Sequence, residues 1–334
     1  MRINILFDFN EYYYYWMLSL CWSLRRLGIE SDFYCATMKN KAEWDNYKYP
    51  SADYYIMFNN IMGKDKVGTP TTNLFSIVKN FPSDAKKIWM PSNQIDFDSK
   101  NPTIKDRTDY FKRVHEFGVY DYVVATKKSL KDEFENQNLN VCEDIVGFGY
   151  SEVLDKYIKN DYASKNIDVH FCGHTYFFQK ENRRENILSN LAQYLPIIRD
   201  NNIWLEDYYK QLSRSKIELN IHGWSMEDLK TNYEYVRIIS SIMQKALVIS
   251  EPIIDCSPFI NNEHIICCKT EEIFEKCRFY LEHEDELKKI TDNAFRFWKY
   301  NYRMDDLLYN FIVNNIDENF ERKNIEVEIP KVKL

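Results

Sequence analysis

KIELNIH at residues 216–222 and ALVIS at residues 246–250 are two short apolar runs with a helix-length segment, 227–244, between them. Short runs of this kind, rich in branched aliphatic residues, predict buried β-strands. A strand, a helix and a second strand in this order predict a right-handed crossover within a parallel sheet. The stretch from 216 to 250 therefore predicts an α/β fold.

The same alternation extends to both sides of this stretch. Further strands are predicted at 3–9, 31–36, 53–58, 87–90, 120–125, 168–173 and 263–268, and further helices at 13–27, 127–137, 182–195, 205–214 and in the acidic segment that ends near 315. A polar stretch at 156–165 divides the pattern into two halves. We therefore predict two Rossmann-like domains that face a central cleft, at 1–160 and 161–300.

The composition is that of a globular protein, with 45% hydrophobic and 28% charged residues among 334. The net charge of −7 argues against a nucleic-acid partner, because phosphate neutralisation needs a basic face. Eight cysteines without a CxxC pair predict reduced thiols. The N-terminus lacks a signal-peptide pattern, and no apolar stretch approaches the ~20 residues of a membrane span. We therefore predict a cytoplasmic protein without a transmembrane segment.

Several residues lie where an α/β sheet binds ligands, at the carboxyl ends of its strands. Gly173 and His222 end predicted strands in the second half, and Glu251 follows another. Arg183 and Arg184 open a predicted helix, where positive side chains oppose the helix dipole and so require another role. A guanidinium and helix N–H groups together bind phosphate. The second half therefore predicts an anion site.

Glu234 and Arg237 are three residues apart and share one face of the predicted helix 227–244. They form either an ordinary surface ion pair, which contributes little, or contacts to a ribose and a phosphate. Glu251 could bind sugar hydroxyls, or it could cap the following loop. His222 could be a structural residue or a catalytic one.

Several standard motifs are absent from the sequence, namely GxGxxG, the Walker loop, GxSxG, HExxH and a Cys–His zinc spacing. The missing glycine fingerprint argues against a dinucleotide-dependent oxidoreductase. The missing metal motifs predict a protein with no metal site and no cofactor.

Four stretches of the second half resemble, in order and spacing, the C-terminal domain of the CgeB-like (spore-maturation) glycosyltransferases of the glycosyltransferase group 1 class. They are DVHFCG with the later NRRENIL, YYKQLSRSKIELNIHGW, YEYVRIISSIMQKALVISE and EEIFEKCRFYLEHEDELKKI. The resemblance implies a GT-B fold, a nucleotide-sugar donor and no metal. It also implies that a helix at 301–318 crosses back to the first domain, which leaves 319–334 as a peripheral tail.

The resemblance implies roles for particular residues. Arg183 or Arg184, with Arg237, would face the diphosphate of a UDP-sugar donor. The family has a glutamate at the position of Ser240, so Glu234 or Glu251 would replace it as the ribose ligand. The implied donor-side residues are Gly173, Arg183, Arg184, His222, Glu234, Arg237, Ser240 and Glu251, and the candidate catalytic residues are His222, Glu251 and Asp8.

The acceptor would be a glycan, a protein or a small molecule bound by the N-terminal domain near Asn10, Tyr13 and Asn93. The tyrosine run at 12–15 has a second interpretation as part core and part surface. Retention of anomeric configuration is favoured only by analogy. Two alternatives to a transferase stay open: a non-catalytic nucleotide-sugar-binding protein of the same fold, and a UDP-sugar epimerase.

Overall fold

A computed structural model describes residues 1–7, 14–35, 48–58, 80–91, 118–173, 183–201, 203, 205–223 and 235–331, with single positions between 105 and 116. It divides into two compact units. Unit 1 consists of Met1–Val153 and Arg303–Leu334, and unit 2 of Leu154–Tyr302. The described strands of each unit form a parallel sheet, which confirms the predicted α/β architecture with two Rossmann-like sheets.

The described part of unit 1 contains a five-stranded sheet in the order β2-β1-β3-β4-β5. Its elements are β1 (Ile3–Phe7), α1 (Tyr14–Arg26), β2 (Phe33–Cys35), β3 (Tyr54–Phe58), β4 (Lys86–Met90), β5 (Tyr122–Val123) and α2 (Lys128–Asn136). Every residue of β1 is buried, Asn4 included, and the largely apolar run Ile3–Phe7 fits a parallel strand that is covered on both faces.

The C-terminal helix of the chain, which we label α8 (Met304–Asn315), packs against α1 within unit 1. Gly149 makes this possible, because a Cβ there would lie 2.6 Å from the backbone nitrogen of Met304. The Met304 N–H donates to the carbonyl of Tyr150 at 2.8 Å, and Ser19 of α1 donates to the carbonyl of Gly149 at 3.0 Å. Backbone contact without an intervening side chain therefore fixes the start of α8.

The described part of unit 2 also contains a five-stranded sheet, in the order β10-β9-β8-β6-β7. Its elements are β6 (Ile167–Cys172), α3 (Arg183–Leu191), β7 (Ile197–Asp200), α4 (Leu205–Arg214), β8 (Ser215–Asn220), α5 (Tyr235–Met243), β9 (Leu247–Ser250), β10 (Ile266–Cys267), α6 (Ile273–Glu282) and α7 (Glu284–Asn301). The core on one face joins apolar residues of β6, β8 and β9 to α3, α6 and α7.

The strand β7 is absent from the sequence prediction, which places a helix at 182–195 and the next at 205–214. The four residues of β7 are all partly or fully exposed and end in Arg199 and Asp200. They form the edge of the sheet and pair only with β6 among the described strands. A short edge strand buries too little apolar surface to leave a strand pattern in the sequence.

None of the described helices combines the length and the apolar character that crossing a bilayer would require.

Candidate functional site

The strand order of unit 2 reverses between β6 and β8. From β6 the chain passes to β7 on one side, and then through α4 to β8 on the other side. Such a switch point opens a crevice at the carboxyl ends of the two strands, and ligands of open α/β sheets bind there. Gly173 follows β6 and His222 follows β8, so both candidates lie at this edge.

Gly173 leaves room for an arginine. Its φ of +150° lies in a region that residues with a side chain rarely adopt. A Cβ at this position would lie 3.0 Å from Nη2 of Arg237 and 3.7 Å from Nη1 of Arg184. The glycine therefore lets two guanidinium groups approach the end of β6, where a larger residue would push them away.

Arg237 comes from the first turn of α5 and is buried, with 6% of its surface exposed. Its Nη1 donates to Oδ1 of Asn220 at 2.7 Å. The guanidinium carbon lies 5.5 Å from the centre of the Phe171 ring, within the range of a cation–π contact. Asn220 is itself oriented by donating to the hydroxyl of Ser250 at 2.9 Å. The end of β8 thus holds the arginine through the amide of Asn220.

Arg183, the first residue of α3, forms an ion pair with Glu251 after β9. Both guanidinium nitrogens Nη1 and Nη2 donate to the two carboxylate oxygens, the former at 3.0 Å. Glu251 is completely buried and also accepts from the hydroxyl of Thr270 at 2.6 Å and from the backbone N–H of His222 at 2.7 Å. Burial raises the pKa of Glu251, but these hydrogen bonds and the charge of Arg183 outweigh it, and the pKa lies below its usual value.

Arg184 lies across the end of β8. Its Nε donates to the carbonyl of Ile221 at 2.8 Å, and its guanidinium lies 5.7 Å from the centre of the Phe171 ring. A Cβ at Gly223 would lie 3.4 Å from Nη2 of Arg184, so this second glycine also makes room for a guanidinium. Arg183, Arg184 and Arg237, which we call the arginine cluster, therefore surround the carboxyl ends of β6 and β8.

His222 is fully buried beside the arginine cluster. Its Nε2 lies 3.0 Å from the carbonyl oxygen of Pro252. Because a carbonyl only accepts hydrogen bonds, Nε2 carries the hydrogen of this contact. The backbone carbonyl of His222 accepts from Arg183 at 3.3 Å. The described contacts of His222 thus position the ring and the backbone, and its catalytic role stays a prediction.

Ser240 lies one turn along α5 from Arg237 and is also fully buried. Its hydroxyl is 2.9 Å from the hydroxyl of Tyr209 on α4. The structure thus joins Ser240 to the packing of α4 against α5, whereas Arg237 contacts Asn220 and Phe171. Its role as a donor ligand stays a prediction, as do the roles of the other candidates.

A buried polar network lies in the sheet beneath the arginine cluster. His170 of β6 has Nδ1 2.5 Å from Oε2 of Glu218 and Nε2 3.0 Å from Oδ2 of Asp200. Burial lowers the pKa of His170, but the two carboxylates outweigh it, and the pKa is raised above its usual value. The backbone N–H of Gly173 donates to the carbonyl of Asp200 at 2.9 Å. The network therefore joins β6, β7 and β8 near their carboxyl ends, next to Gly173.

The remaining candidates lie outside the described residues. They are Asp8, Asn10, Tyr13, Asn93 and Glu234. The structure gives no placement for these side chains, and their proposed catalytic, acceptor-side and donor-side roles stay predictions.

Sequence reasoning missed the residues that hold the arginine cluster in place. Asn220, Phe171 and Thr270 contact the arginines or Glu251, and Gly223 makes room for one of them. A signal existed for Asn220, which is polar within an apolar strand and lies at its carboxyl end. No sequence signal marked Thr270, because its contact with Glu251 joins segments that only tertiary folding brings together.

The segment that carries the arginine cluster matches a known family. Residues 162–309 match the family described as glycosyl transferase-like (Glyco_trans_1_2), which covers less than half of the chain. No curated protein gave a significant sequence match.

Several solved structures are similar to this chain over nearly its whole length. An alpha-glucosyltransferase in complex with UDP-glucose and DNA containing an abasic site is similar over 93% of this chain and 99% of that chain, with 9% identity and a TM-score of 0.59. AviGT4, a glycosyltransferase involved in avilamycin A biosynthesis, is similar over 94% and 98%, with 8% identity and a TM-score of 0.59. A UDP-N-acetylglucosamine 2-epimerase is similar over 98% and 99%, with 11% identity and a TM-score of 0.56.

These likenesses identify the fold as GT-B, which confirms the predicted fold class. Within that fold, the segment 162–309 is similar to glycosyltransferases of the matched family. The finer CgeB-like subtype stays a prediction.

Proposed function

We propose that this chain is a glycosyltransferase that moves a sugar from a nucleotide-sugar, a UDP-sugar in particular, to a hydroxyl acceptor. The observation that carries the proposal is the arginine cluster at the switch point between β6 and β8, inside the segment that matches a glycosyl transferase-like family. A solved neighbour in complex with UDP-glucose and another that is a UDP-N-acetylglucosamine 2-epimerase support a uridine nucleotide as the donor.

The chemistry of the departing nucleotide explains why such a site needs arginines. When the acceptor hydroxyl attacks the anomeric carbon, the bond to the diphosphate breaks and negative charge develops on the phosphate oxygens. Preorganised positive groups that stabilise this charge lower the barrier of the reaction. Arg183 and Arg184 start α3, so the N–H groups of its first turn would add to the same field. In this proposal the arginines take the role that Mg²⁺ has in other transferases, and retention of configuration is favoured by analogy.

Isothermal titration with UDP tests the donor site. We expect the wild-type chain to bind UDP and Arg237→Ala to bind it at least about tenfold more weakly, since a lost hydrogen bond between charged groups costs about 1.5–3 kcal/mol. The matched control is Arg278→Ala, because Arg278 is an exposed helical arginine whose described contacts are an ion pair with Glu275 and the ring of Phe274. Equal UDP affinity in all three proteins would show that Arg237 does not contribute to UDP binding. Unchanged affinity and activity after addition of EDTA are expected if no metal takes part.

A panel of nucleotide-sugars with candidate acceptors tests the reaction. Glycans, proteins and small molecules are the expected acceptor classes. Duplex DNA belongs in the panel because one structural neighbour is in complex with DNA, although the net charge of −7 argues against it here. Donor binding without any transfer or hydrolysis would favour a non-catalytic nucleotide-sugar-binding protein.

The second candidate function is epimerisation of a UDP-sugar. A UDP-N-acetylglucosamine 2-epimerase is similar to this chain over 98% of its length, about as extensively as the transferases. The two reactions differ in their need for an acceptor. Incubation of a UDP-sugar with the protein alone, followed by chromatography of the sugar, separates them. A new epimer without an acceptor would favour the epimerase, and an unchanged sugar that is transferred once an acceptor is added favours the transferase.

A further inference from the structure

The aromatic ring of Phe171 contacts two arginines at once. Phe171 belongs to β6, is completely buried, and lies two residues before Gly173. The guanidinium carbon of Arg237 lies 5.5 Å from the centre of this ring, and that of Arg184 lies 5.7 Å from it. Both distances are within the range of about 6 Å in which a cation is attracted to an aromatic face. One side chain therefore contacts two of the three members of the arginine cluster.

The same ring borders the space that Gly173 leaves open. A Cβ at this position would lie 3.4 Å from Cζ of Phe171, and it would lie 3.0 Å from Nη2 of Arg237 and 3.7 Å from Nη1 of Arg184. The tip of the ring and one nitrogen of each guanidinium therefore surround a single point at the end of β6. Two positive groups at such short range repel each other, so a group that attracts both of them stabilises the arrangement.

The two arginines reach the ring from different helices. Arg184 lies in the first turn of α3 and Arg237 in the first turn of α5. Each also donates a hydrogen bond to the end of β8, Arg184 to the carbonyl of Ile221 at 2.8 Å and Arg237 to Oδ1 of Asn220 at 2.7 Å. The face of an aromatic ring is negative, so the Phe171 ring attracts both guanidiniums and offsets their repulsion.

We infer that Phe171 is a positioning residue, which holds Arg184 and Arg237 at a spacing at which one pyrophosphate group contacts both. The inference rests on the proposed function, because it assigns the arginine cluster to the diphosphate of the donor. Pyrophosphate has two phosphate groups joined through one oxygen, so it presents oxygen atoms to two guanidiniums together. Arginines that are already in position bind it more tightly, because ordering a long side chain during binding costs free energy.

Fluorination of the ring tests this contact with little change in packing. Fluorine atoms withdraw electron density from the ring face, so they weaken a cation–π contact while the ring keeps its shape and its apolar contacts. Monofluorinated and trifluorinated phenylalanine are introduced at position 171 of the full chain, and the binding of inorganic pyrophosphate is measured by isothermal titration. We expect the affinity to fall in steps, about twofold with one fluorine and about fivefold with three.

Phe295 provides a matched control within the same unit. The centre of its ring lies 5.3 Å from Nζ of Lys245 and 5.8 Å from Nζ of Lys299, so it also contacts two cations, and neither belongs to the arginine cluster. The same fluorinated residues at position 295 should leave pyrophosphate affinity unchanged. Phe171→Leu removes the aromatic face altogether and should weaken pyrophosphate binding by at least about fivefold.

The outcomes separate this inference from the proposed function. Equal pyrophosphate affinity in the wild type and in the protein trifluorinated at position 171 would overturn the inference, and so would an equal fall from fluorination at position 295. UDP binding by the wild type would still support the proposed function in both cases. Pyrophosphate binding that depends on the Phe171 ring, without any affinity for UDP, would support the inference and contradict a UDP-sugar donor. A wild type that binds neither ligand would contradict both.

Discussion

The carboxylate of Glu251 holds the guanidinium of Arg183 with both of its oxygens, and Glu251 is fully buried while Arg183 is partly exposed. The other described hydrogen bonds to the Glu251 carboxylate come from the hydroxyl of Thr270 and from the backbone N–H of His222. A carboxylate with four donors around it is well suited to position an arginine. It is less suited to attack a substrate, because its lone pairs are already engaged.

Glu251→Gln should destabilise the protein by about 3 kcal/mol, because it leaves a partly buried guanidinium without its counter-charge. Urea unfolding measures the loss, and UDP titration should show weaker binding as Arg183 loses its position. Glu271→Gln is the matched control, since Glu271 is an exposed residue of the same unit. Normal stability of Glu251→Gln combined with lost activity would instead support the catalytic role that the sequence suggests for Glu251.

Gly173→Ala should weaken UDP binding about as much as the loss of Arg237. The new Cβ would lie 3.0 Å from Nη2 of Arg237, and the φ of +150° adds backbone strain. Gly118→Ala separates the two effects, because Gly118 also has a positive φ, +60°, but a Cβ there would meet nothing within 4 Å. Titration calorimetry should show reduced affinity only for Gly173→Ala. Equal affinities would mean that contact with the guanidinium is unimportant.

Ser240→Ala should cost about 1 kcal/mol of unfolding free energy and leave UDP affinity unchanged, because the hydroxyl of Ser240 bonds to Tyr209. Tyr209→Phe removes the same hydrogen bond from the other side. The double variant should therefore lose less stability than the sum of the two single variants. A clear drop in UDP affinity for Ser240→Ala alone would show that this residue reaches the donor, as its position in the sequence motif suggests.

The buried network around His170 should make stability depend on pH. The pKa of His170 is raised above 6.5, so its folded form binds a proton more tightly than its unfolded form. This contribution is complete below the unfolded pKa and disappears as the pH rises through the folded pKa. Urea unfolding of the wild type and of His170→Gln should therefore differ most in mildly acidic solution and least in alkaline solution. His283→Gln, at an exposed helix end, is the control. A difference that grows with pH would contradict the raised pKa of His170.

The periodicity of the sequence predicted most of the fold. Largely apolar runs such as Ile3–Phe7 and Leu247–Ser250 form fully buried strands, because a central parallel strand is covered on both faces. The edge strand β7 was missed for the converse reason, since its exposed residues leave no such pattern. Arg183 and Arg184 were predicted because arginines at a helix start oppose the helix dipole, and Arg237 because it shares a helix face with Glu234 and lies in a stretch that resembles a known family. The structure brings Arg184 and Arg237 together around Phe171 and Gly173, and it pairs Arg183 with Glu251.

The sequence by itself determined the α/β class, the approximate strands and the residue types of an anion site, because these depend on local periodicity and on the chemistry of single side chains. Only the tertiary structure decided which residues are neighbours. The pairing of Arg183 with Glu251 and of Arg237 with Asn220 joins residues from different parts of the chain. Such contacts follow from strand order and loop closure, and no local pattern encodes them.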